Sequence, residues 1–538
     1  MISGNVDWAP DYSGKTICGL VRDTARAHPD KLIMELDGDA ITYGQLYADA
    51  ETIARALLAR GMDVGAHIGI MLPNSVDYLR LYIGILVAGG VPVTLNSRYR
   101  GDELLYALNH AEIRVLFVSA SPETDFLSML VQNVADLNLE DSAQNSASLK
   151  YLQHLVVVEN PPSAEISLTA FTSMQSSSAF PDIDEEDHAV MMFTSGTTAS
   201  PKACLVTHRS LIGNGINMVE RWQMNEADKF YNPLPFFHMS VLLPLVSCIL
   251  SRSELYATRH FKAEKALEVF KRVPVTIGFF AFPTITNEII YHPQFNQEDV
   301  KSFRIINNVA PISTLLQYEE AFPSASGVSA YGLTECGGVS CFSNPREPIE
   351  KRLPTVGQPF AGIEIRIADA EDPMKVLGPD EKGEIQIHGY NLFSGYYKDE
   401  EATRKTLTED GWLRTGDLGH LDNEGYLYFV GRLKDMLKVG GENVAAAEIE
   451  SLLDTHPAVE MTQIVAAPDD RLQEVAAAYV RLHANAKATE EELIDFCRGK
   501  VASYKVPRYV RFVDEWPMSG TKVQKFKLRA RIAAELEG

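Results

Sequence analysis

Apolar residues recur every three to four positions along "YGQLYADAETIARALLARG" (43–61) up to a closing glycine, and the run "HIGIML" (67–72) that follows is apolar almost throughout. The first pattern predicts an amphipathic helix and the second a buried strand. The unit repeats at once, with "VDYLRLYIGILVAGG" (76–90) as helix and "VPVTL" (91–95) as strand. Helices alternating with short apolar strands predict a parallel or mixed sheet covered on both faces. Between 119 and 187 the periodicity fades into Ser, Asn, Gln and acidic residues, apart from a strand-like "HLVVVE", so this stretch is expected mostly at the surface. After 354 the period becomes two: "IEIRIAD", "GEIQIHG" and "GYLYFVGR" predict a β-rich subdomain. From 433, "LKDMLKVGGENVAAAEIESLLDTHPAV" reads as a charged link followed by a helix, and a compact α+β pattern runs to the end. The expected fold class is therefore α/β. A large N-terminal domain of mixed α/β sheets with the β-rich subdomain occupies 1–433, and a small α+β C-terminal domain occupies 434–538.

Composition narrows the function more than the fold. A chain of 538 residues is too long for one compact core, which supports the division into domains. The net charge of −23 argues against a general nucleic-acid binder, because phosphate backbones would be repelled except at a locally basic face. The tail from 498 onward is such a face in composition, with ten Lys/Arg against four Asp/Glu, and it reads equally as a solvated helix surface. Six cysteines without CxxC spacing disfavour a zinc site or a disulfide framework and fit a reduced, cytoplasmic setting. The longest apolar runs, 81–95 and 240–250, are short of a membrane span and read as core, so no integral membrane contact is expected.

In "FTSGTTASPKA" (193–203) a strand runs into Thr194, Ser195, Gly196, Thr197 and Thr198, with Lys202 beyond. Hydroxyls and free backbone N–H groups around a small residue can wrap phosphate oxygens, and Lys202 adds a mobile positive charge. The loop is not of the Walker type: Pro201 precedes Lys202 and supplies no N–H, and Ala203 supplies no hydroxyl. Alone, such a turn is also an ordinary surface loop. It is followed in order by "YGLTE" (331–335), "WLRTGD" (412–417), "GRLKDMLKVGGENV" (431–444) and "TKVQKFKLR" (521–529). On these five segments the chain resembles the acyl-adenylate-forming superfamily over essentially its whole length, and within it the acyl-CoA synthetases of the fatty-acid or aryl-CoA ligase type.

The resemblance implies ATP, Mg²⁺ and coenzyme A as cofactors and assigns roles residue by residue. Tyr331 and Gly332, with Asn308, Ala310 and Pro311 of "NVAP", would form the adenine pocket; Thr334 and Glu335 would face the phosphates, Glu335 as the Mg²⁺ ligand. Asp417 would accept from both ribose hydroxyls, with Arg432 reaching the same sugar. Lys434 matches the hinge on which the C-terminal domain rotates, and also reads as an exposed linker charge. Lys522 is the expected catalytic lysine, chosen over Lys525 and Lys527 on the register of "KVQK", although Thr521 stands where the motif usually has glycine. His238 of "PLPFFHMS" would lie beside the acyl carboxylate, or serve as a hydrogen-bonded core histidine. Gly440 and Gly441 would let pantetheine pass along bare backbone, or simply form a turn. Phe236, Phe237, Phe280, Val309, Gly337 and Gly338 are the expected acyl pocket, and the same phenylalanines read equally as core packing.

The implied activity is ATP-dependent ligation of an apolar carboxylic acid to CoA through an acyl-adenylate, releasing AMP and pyrophosphate. The expected partner is a small carboxylic acid, with no nucleic acid, and the resemblance allows a homodimer. Two alternatives share the motifs: a stand-alone adenylating enzyme that serves a carrier protein, and a catalytically decayed nucleotide- or acyl-binding protein. The family's glycines are replaced here by Ala199 and Ala203. If Ala199 needs a left-handed backbone, the strain is about 1 kcal/mol. Ala199→Gly is therefore expected to change turnover or ATP affinity severalfold in steady-state kinetics while leaving the choice of acid unchanged.

Overall fold

A computed structural model describes residues 11, 13–194, 201–440, 444–518 and 523–536 in full, and 2–3, 442–443, 519, 522 and 537 through their backbone. The sequence units at the start form as their pattern dictates. Helix Tyr43–Ala59 begins at a capping box, in which Thr42 and Gln45 each accept the other's backbone N–H, and helix Val76–Val87 is capped by Ser75. The strands after them, His67–Met71 and Val91–Thr94, pair in parallel.

Two large sheets dominate. One has eight strands, its central run ordered Lys202–Thr207, His188–Thr194, Val91–Thr94, His67–Met71 and Val115–Ser121. The other has seven, with Ser326–Val328, Ile305–Asn308, Ile277–Ala281 and Lys229–Tyr231 parallel in that order. Successive residues of one strand serve different cores: Ile70 joins the core shared by both sheets and the helices between them, while Met71 joins a second core on the outer face. The β-rich subdomain is an antiparallel sheet containing Ile363–Ala368, Gly383–Gly389, Leu413–Leu421 and Leu427–Arg432.

The stretch 119–187 lies mostly at the surface, as its composition predicts, and helices Phe126–Asn133 and Leu168–Ser173 are anchored by the buried Phe126, Leu127, Leu130 and Phe171. One sequence expectation is corrected. The charged link after 433 is mainly a β-hairpin, Met436–Val439 against Glu442–Ala445, in which Leu437, Val439 and Val444 are buried. Alternation was present there, but charged residues at the exposed positions masked it.

The apolar clusters of the first part end at Leu427, and those of the C-terminal part begin at Leu437. The C-terminal part builds a mixed sheet around Val459–Asp469 and Gln473–Leu482, covered by helices Ala446–Leu453, Glu490–Cys497 and Lys525–Glu537. Asp454, just after the first of these helices, has its Oδ1 closed off from solvent. Burial pushes its carboxyl from the ordinary 3.8 up to about 7, against the pull of Thr462 and with a smaller push from Glu450. Since the folded pKa is raised, the associated stability is full below the unfolded pKa and is lost as pH rises to about 7. Asp454→Asn is expected to gain stability over the wild type as pH is raised from 4 to 7, with no further gain above, in urea unfolding followed at each pH.

Candidate functional site

The site residues collect where parallel strands end, the usual place for ligands in open α/β sheets. Thr194 closes strand His188–Thr194 and pairs across the ladder with Lys202. The loop between them, with Ser195, Gly196, Thr197, Thr198 and Ala199, lies outside the described residues. Ala203 sits in regular strand, fully buried, opposite Phe193 and with its carbonyl accepting from Tyr397 N at 2.8 Å. No left-handed backbone is required there, so alanine is as suitable as glycine. The Lys202 Nζ stands 4.7 Å from the ring centroid of Tyr396.

"YGLTE" enters as a short strand, Ala330–Tyr331, and turns through Thr334–Cys336. Gly332 is fixed by close approach: a Cβ there would lie 2.3 Å from the Gly338 carbonyl oxygen and 2.5 Å from Val339 Cα, backbone atoms that cannot yield. A buried clamp that the sequence reading missed holds the following loop. The Asn214 side-chain amide donates to the carbonyls of Cys336, Gly337 and Val339 at 3.0, 3.1 and 2.9 Å. Gly337 and Gly338 thereby adopt φ of +63° and +99°, packed against Ser210 and Met239. Glu335 Oε1 accepts from the Tyr396 hydroxyl at 2.7 Å.

Asp417 is 2% exposed. The Tyr331 hydroxyl donates to its Oδ2 at 3.0 Å, Arg432 Nε lies 3.0 Å from its Oδ1, and its backbone N–H is tied to Thr415 Oγ1. Asp417 and Arg432 are direct partners across the antiparallel ladder, which brings residues fifteen apart in sequence side by side. Burial, then the neighbouring Asp417 charge, holds the Tyr331 phenol protonated as a donor. Phe429, also missed from sequence, places its ring 5.9 Å from that of Tyr331 and is 41% exposed, so it forms an open aromatic edge to this site. The remaining wall follows strand Ile305–Asn308: Asn308 Oδ1 accepts from Thr286 at 2.6 Å, Val309 is exposed, and Ala310 and Pro311 lead into helix Ile312–Ala321.

On the expected acyl side, His238 precedes helix Met239–Ser251 with its ring 4.3 Å from that of Phe237. Phe236 packs edge-on against Tyr78 at 5.7 Å. Phe280 is fully buried in an aromatic core cluster with Tyr231, Phe303 and Phe322.

The C-terminal residues lie on the far side of the three-residue turn Leu433–Asp435. Partial desolvation, followed by the Arg432 charge, presses the Lys434 amine below its usual range. Arg529 donates to the Lys434 carbonyl at 3.5 Å and lies 3.8 Å from Asp435. Gly440 has φ of +60° at the hairpin tip; Gly441 lies outside the described residues. The Lys522 backbone pairs with Ser519 in a second hairpin. Lys525 is committed to a half-buried ion pair with Glu450 at 2.6 Å, and Lys527 carries its amine 6.0 Å from the Phe526 ring. Among the described residues no group of three His, Cys, Asp or Glu side chains could hold a metal unaided, and no helix is long and apolar enough to cross a membrane. The six cysteines are free and buried.

Residues 21–397 match the AMP-binding enzyme family, and 448–522 match the AMP-binding enzyme C-terminal domain. The putative acyl-CoA synthetase YngI of Bacillus subtilis (strain 168) is 30% identical over 96% of this chain and 97% of its own. The medium-chain acyl-CoA ligase ACSF2, mitochondrial, of Macaca fascicularis is 29% identical over 97% and 88% respectively. Among solved structures, ATP-bound MatB from Rhodopseudomonas palustris superposes with a TM-score of 0.83 at 27% identity, covering 96% of this chain and 99% of that one.

Replacing the buried carboxylate by an amide keeps its shape but removes the charge that strengthens its bonds. Asp417→Asn is expected to weaken ATP binding by about tenfold or more, as titration calorimetry without acid substrate would measure.

Proposed function

The chain belongs to the AMP-binding enzyme family and is an AMP-forming acyl-CoA ligase, and we propose how its residues divide the work. The observation that carries the assignment is the Tyr331–Asp417–Arg432 cluster: a protonated phenol, a buried carboxylate and a guanidinium from three distant segments, joined by bonds of 3.0 Å. It supports a site in which adenine lies against the rings of Tyr331 and Phe429 and the ribose hydroxyls donate to Asp417. Thr194, Lys202 and the hydroxyls of the intervening loop hold the β- and γ-phosphates.

Magnesium characteristically keeps several waters and takes one or two carboxylates plus substrate phosphates. Glu335 fits that use, since its Oε1 is oriented by Tyr396 and no competing metal cage surrounds it among the described residues. Held there, the cation would neutralise phosphate charge.

In the first step a carboxylate oxygen of the acid attacks the α-phosphorus of ATP. The bond to the β-phosphate oxygen breaks, and pyrophosphate leaves the acyl-adenylate. Lys522 offers its charge to both anions as they meet, an interaction strongest in the transition state. The engagement of Lys525 with Glu450 supports Lys522 for this role. In the second step the CoA thiol loses its proton to solvent, its sulfur attacks the acyl carbonyl carbon, the bond from that carbon to the phosphate oxygen breaks, and AMP leaves. Lys434 is the pivot between the steps: it lies between two separate apolar cores, so rotation there opens no core. The Gly440–Gly441 tip would then border the thiol path.

Phe236, Phe237 and Val309, with the Gly337–Gly338 loop and His238, form the proposed acyl side; Phe280 would act from the core behind it. Their apolar character, and the medium-chain ligase among the relatives, support an apolar acid. The reading places the enzyme in a reducing cytoplasm, which six free cysteines support, and allows self-association as a homodimer.

A panel of medium-chain, aryl and polycyclic acids, assayed for AMP formation with and without CoA, tests the proposal. CoA-dependent turnover with an apolar acid is expected. Turnover that requires a carrier protein in place of free CoA would replace it with the carrier-serving alternative. Lys522→Ala is expected to lose acid-dependent pyrophosphate exchange by about a hundredfold or more while retaining ATP binding. Unimpaired exchange would move the catalytic role elsewhere.

A further inference from the structure

Tyr396 belongs to none of the five motifs, yet it touches two of the residues assigned to phosphate. We propose that it is a positioning residue that joins Lys202 and Glu335 into one phosphate-handling unit while keeping their charges apart. The proposal rests on the reading of Lys202 and Glu335 given above.

The segment around Tyr396 is stitched to both elements by backbone bonds. Phe393 N donates to the Glu335 carbonyl at 2.9 Å, Ser394 N to Leu205 O at 2.9 Å, and Tyr397 N to Ala203 O at 2.8 Å. Gly395–Tyr396 thereby adds an edge strand antiparallel to the strand that begins at Lys202. The ring itself is 8% exposed, packed edge-on against Phe393 at 4.9 Å, and its backbone N–H is held by Thr403 Oγ1 at 2.9 Å. A ring fixed this firmly presents two chemically different surfaces. Its face meets the Lys202 ammonium at 4.7 Å, and its hydroxyl donates to Glu335 Oε1 at 2.7 Å.

The arrangement has a chemical consequence. Lys202 and Glu335 both meet one tyrosine, and a direct ion pair between them would engage each charge away from a polyphosphate and its cation. Among the described residues, the contacts these two side chains make to Tyr396 are to a neutral ring and a neutral hydroxyl, not to an opposite charge. The aromatic face holds the ammonium without neutralising it, and releases it to a stronger anion. The hydroxyl fixes one carboxylate oxygen and leaves the other to accept from solvent or metal.

Tyr396→Phe retains the ring face and removes only the hydroxyl; Tyr396→Leu removes both. Calorimetric titration of Mg²⁺-ATP without acid, over a series of free Mg²⁺ concentrations, reads the effect on binding apart from turnover. For Tyr396→Phe the expected result is about fivefold weaker Mg²⁺-dependent ATP binding, with an unchanged KM for the acid and an unchanged Tm. In a Glu335→Gln background the same substitution is expected to add little, because its target is gone. Tyr396→Leu is expected to weaken ATP binding further even when Mg²⁺ is saturating, through the Lys202 contact. Unaltered Mg²⁺ dependence in Tyr396→Phe, or an equal loss with and without Glu335, would overturn the proposal. If Glu335→Gln alone leaves Mg²⁺ and ATP binding unchanged, the reading of Glu335 fails and takes the proposal with it.

Discussion

A carboxylate shut almost completely away from water must be paired, and the pairing of Asp417 organises the centre of this protein. One oxygen takes the Tyr331 hydroxyl and the other faces Arg432, each at 3.0 Å. Removing Arg432 would take a compensating charge from a buried carboxylate and removing Tyr331 would take a donor from it, each a cost above that of an ordinary surface contact. The constraint reaches outward because the partners sit on different elements. Tyr331 ties the site to the loop held by Asn214, and Arg432 ends the last strand before the chain leaves for the C-terminal part. The boundary between the two apolar bodies therefore starts beside Asp417, the residue proposed for the ribose. In the proposed mechanism, a pivot at Lys434 moves the C-terminal residues while the cluster around Asp417 stays in place.

The side proposed for phosphate follows a different rule. In the proposed roles Asp417 acts from a pre-engaged, fixed geometry, whereas Lys202 and Glu335 act only while their charges remain available. A lysine spread over an aromatic face and a carboxylate held by a neutral hydroxyl are both oriented without being neutralised. The same distinction separates the C-terminal lysines. Lys525 is consumed by Glu450, which ties the final helix to helix Ala446–Leu453 and thereby fixes the frame from which the Lys522 hairpin extends.

Much of the fold was legible in local pattern, as helix Tyr43–Ala59 and the alternating strands Ile363–Ala368 and Gly383–Gly389 show, since each carries its own period and its own stop signal. The expectation that failed has a physical cause. In 436–445 the buried face is three residues, Leu437, Val439 and Val444, scattered among lysines and acids, and only pairing across the hairpin makes them a face. Phe126 and Phe171 anchor a stretch that is otherwise mostly exposed, and the cores that receive them are built largely from strands elsewhere. Asn214, Phe429 and Tyr396 are ordinary residues by local context. Their significance comes from carbonyls, rings and carboxylates that lie 61 to 125 positions away or across a sheet.

By itself the sequence determined the chemistry that is spelled out in contiguous runs. A hydroxyl-rich loop, an aromatic followed by an acid, a carboxylate after a glycine turn and a basic tail are recognisable because backbone geometry makes neighbours in sequence act together. Tertiary structure alone decided which of those groups meet. Hydrogen bonds and ion pairs require distances near 3 Å, and in this chain those distances are set by strand pairing between segments far apart. Tyr331, Asp417 and Arg432 form one buried cluster, and Lys202 and Glu335 remain apart on two sides of one tyrosine, for that reason.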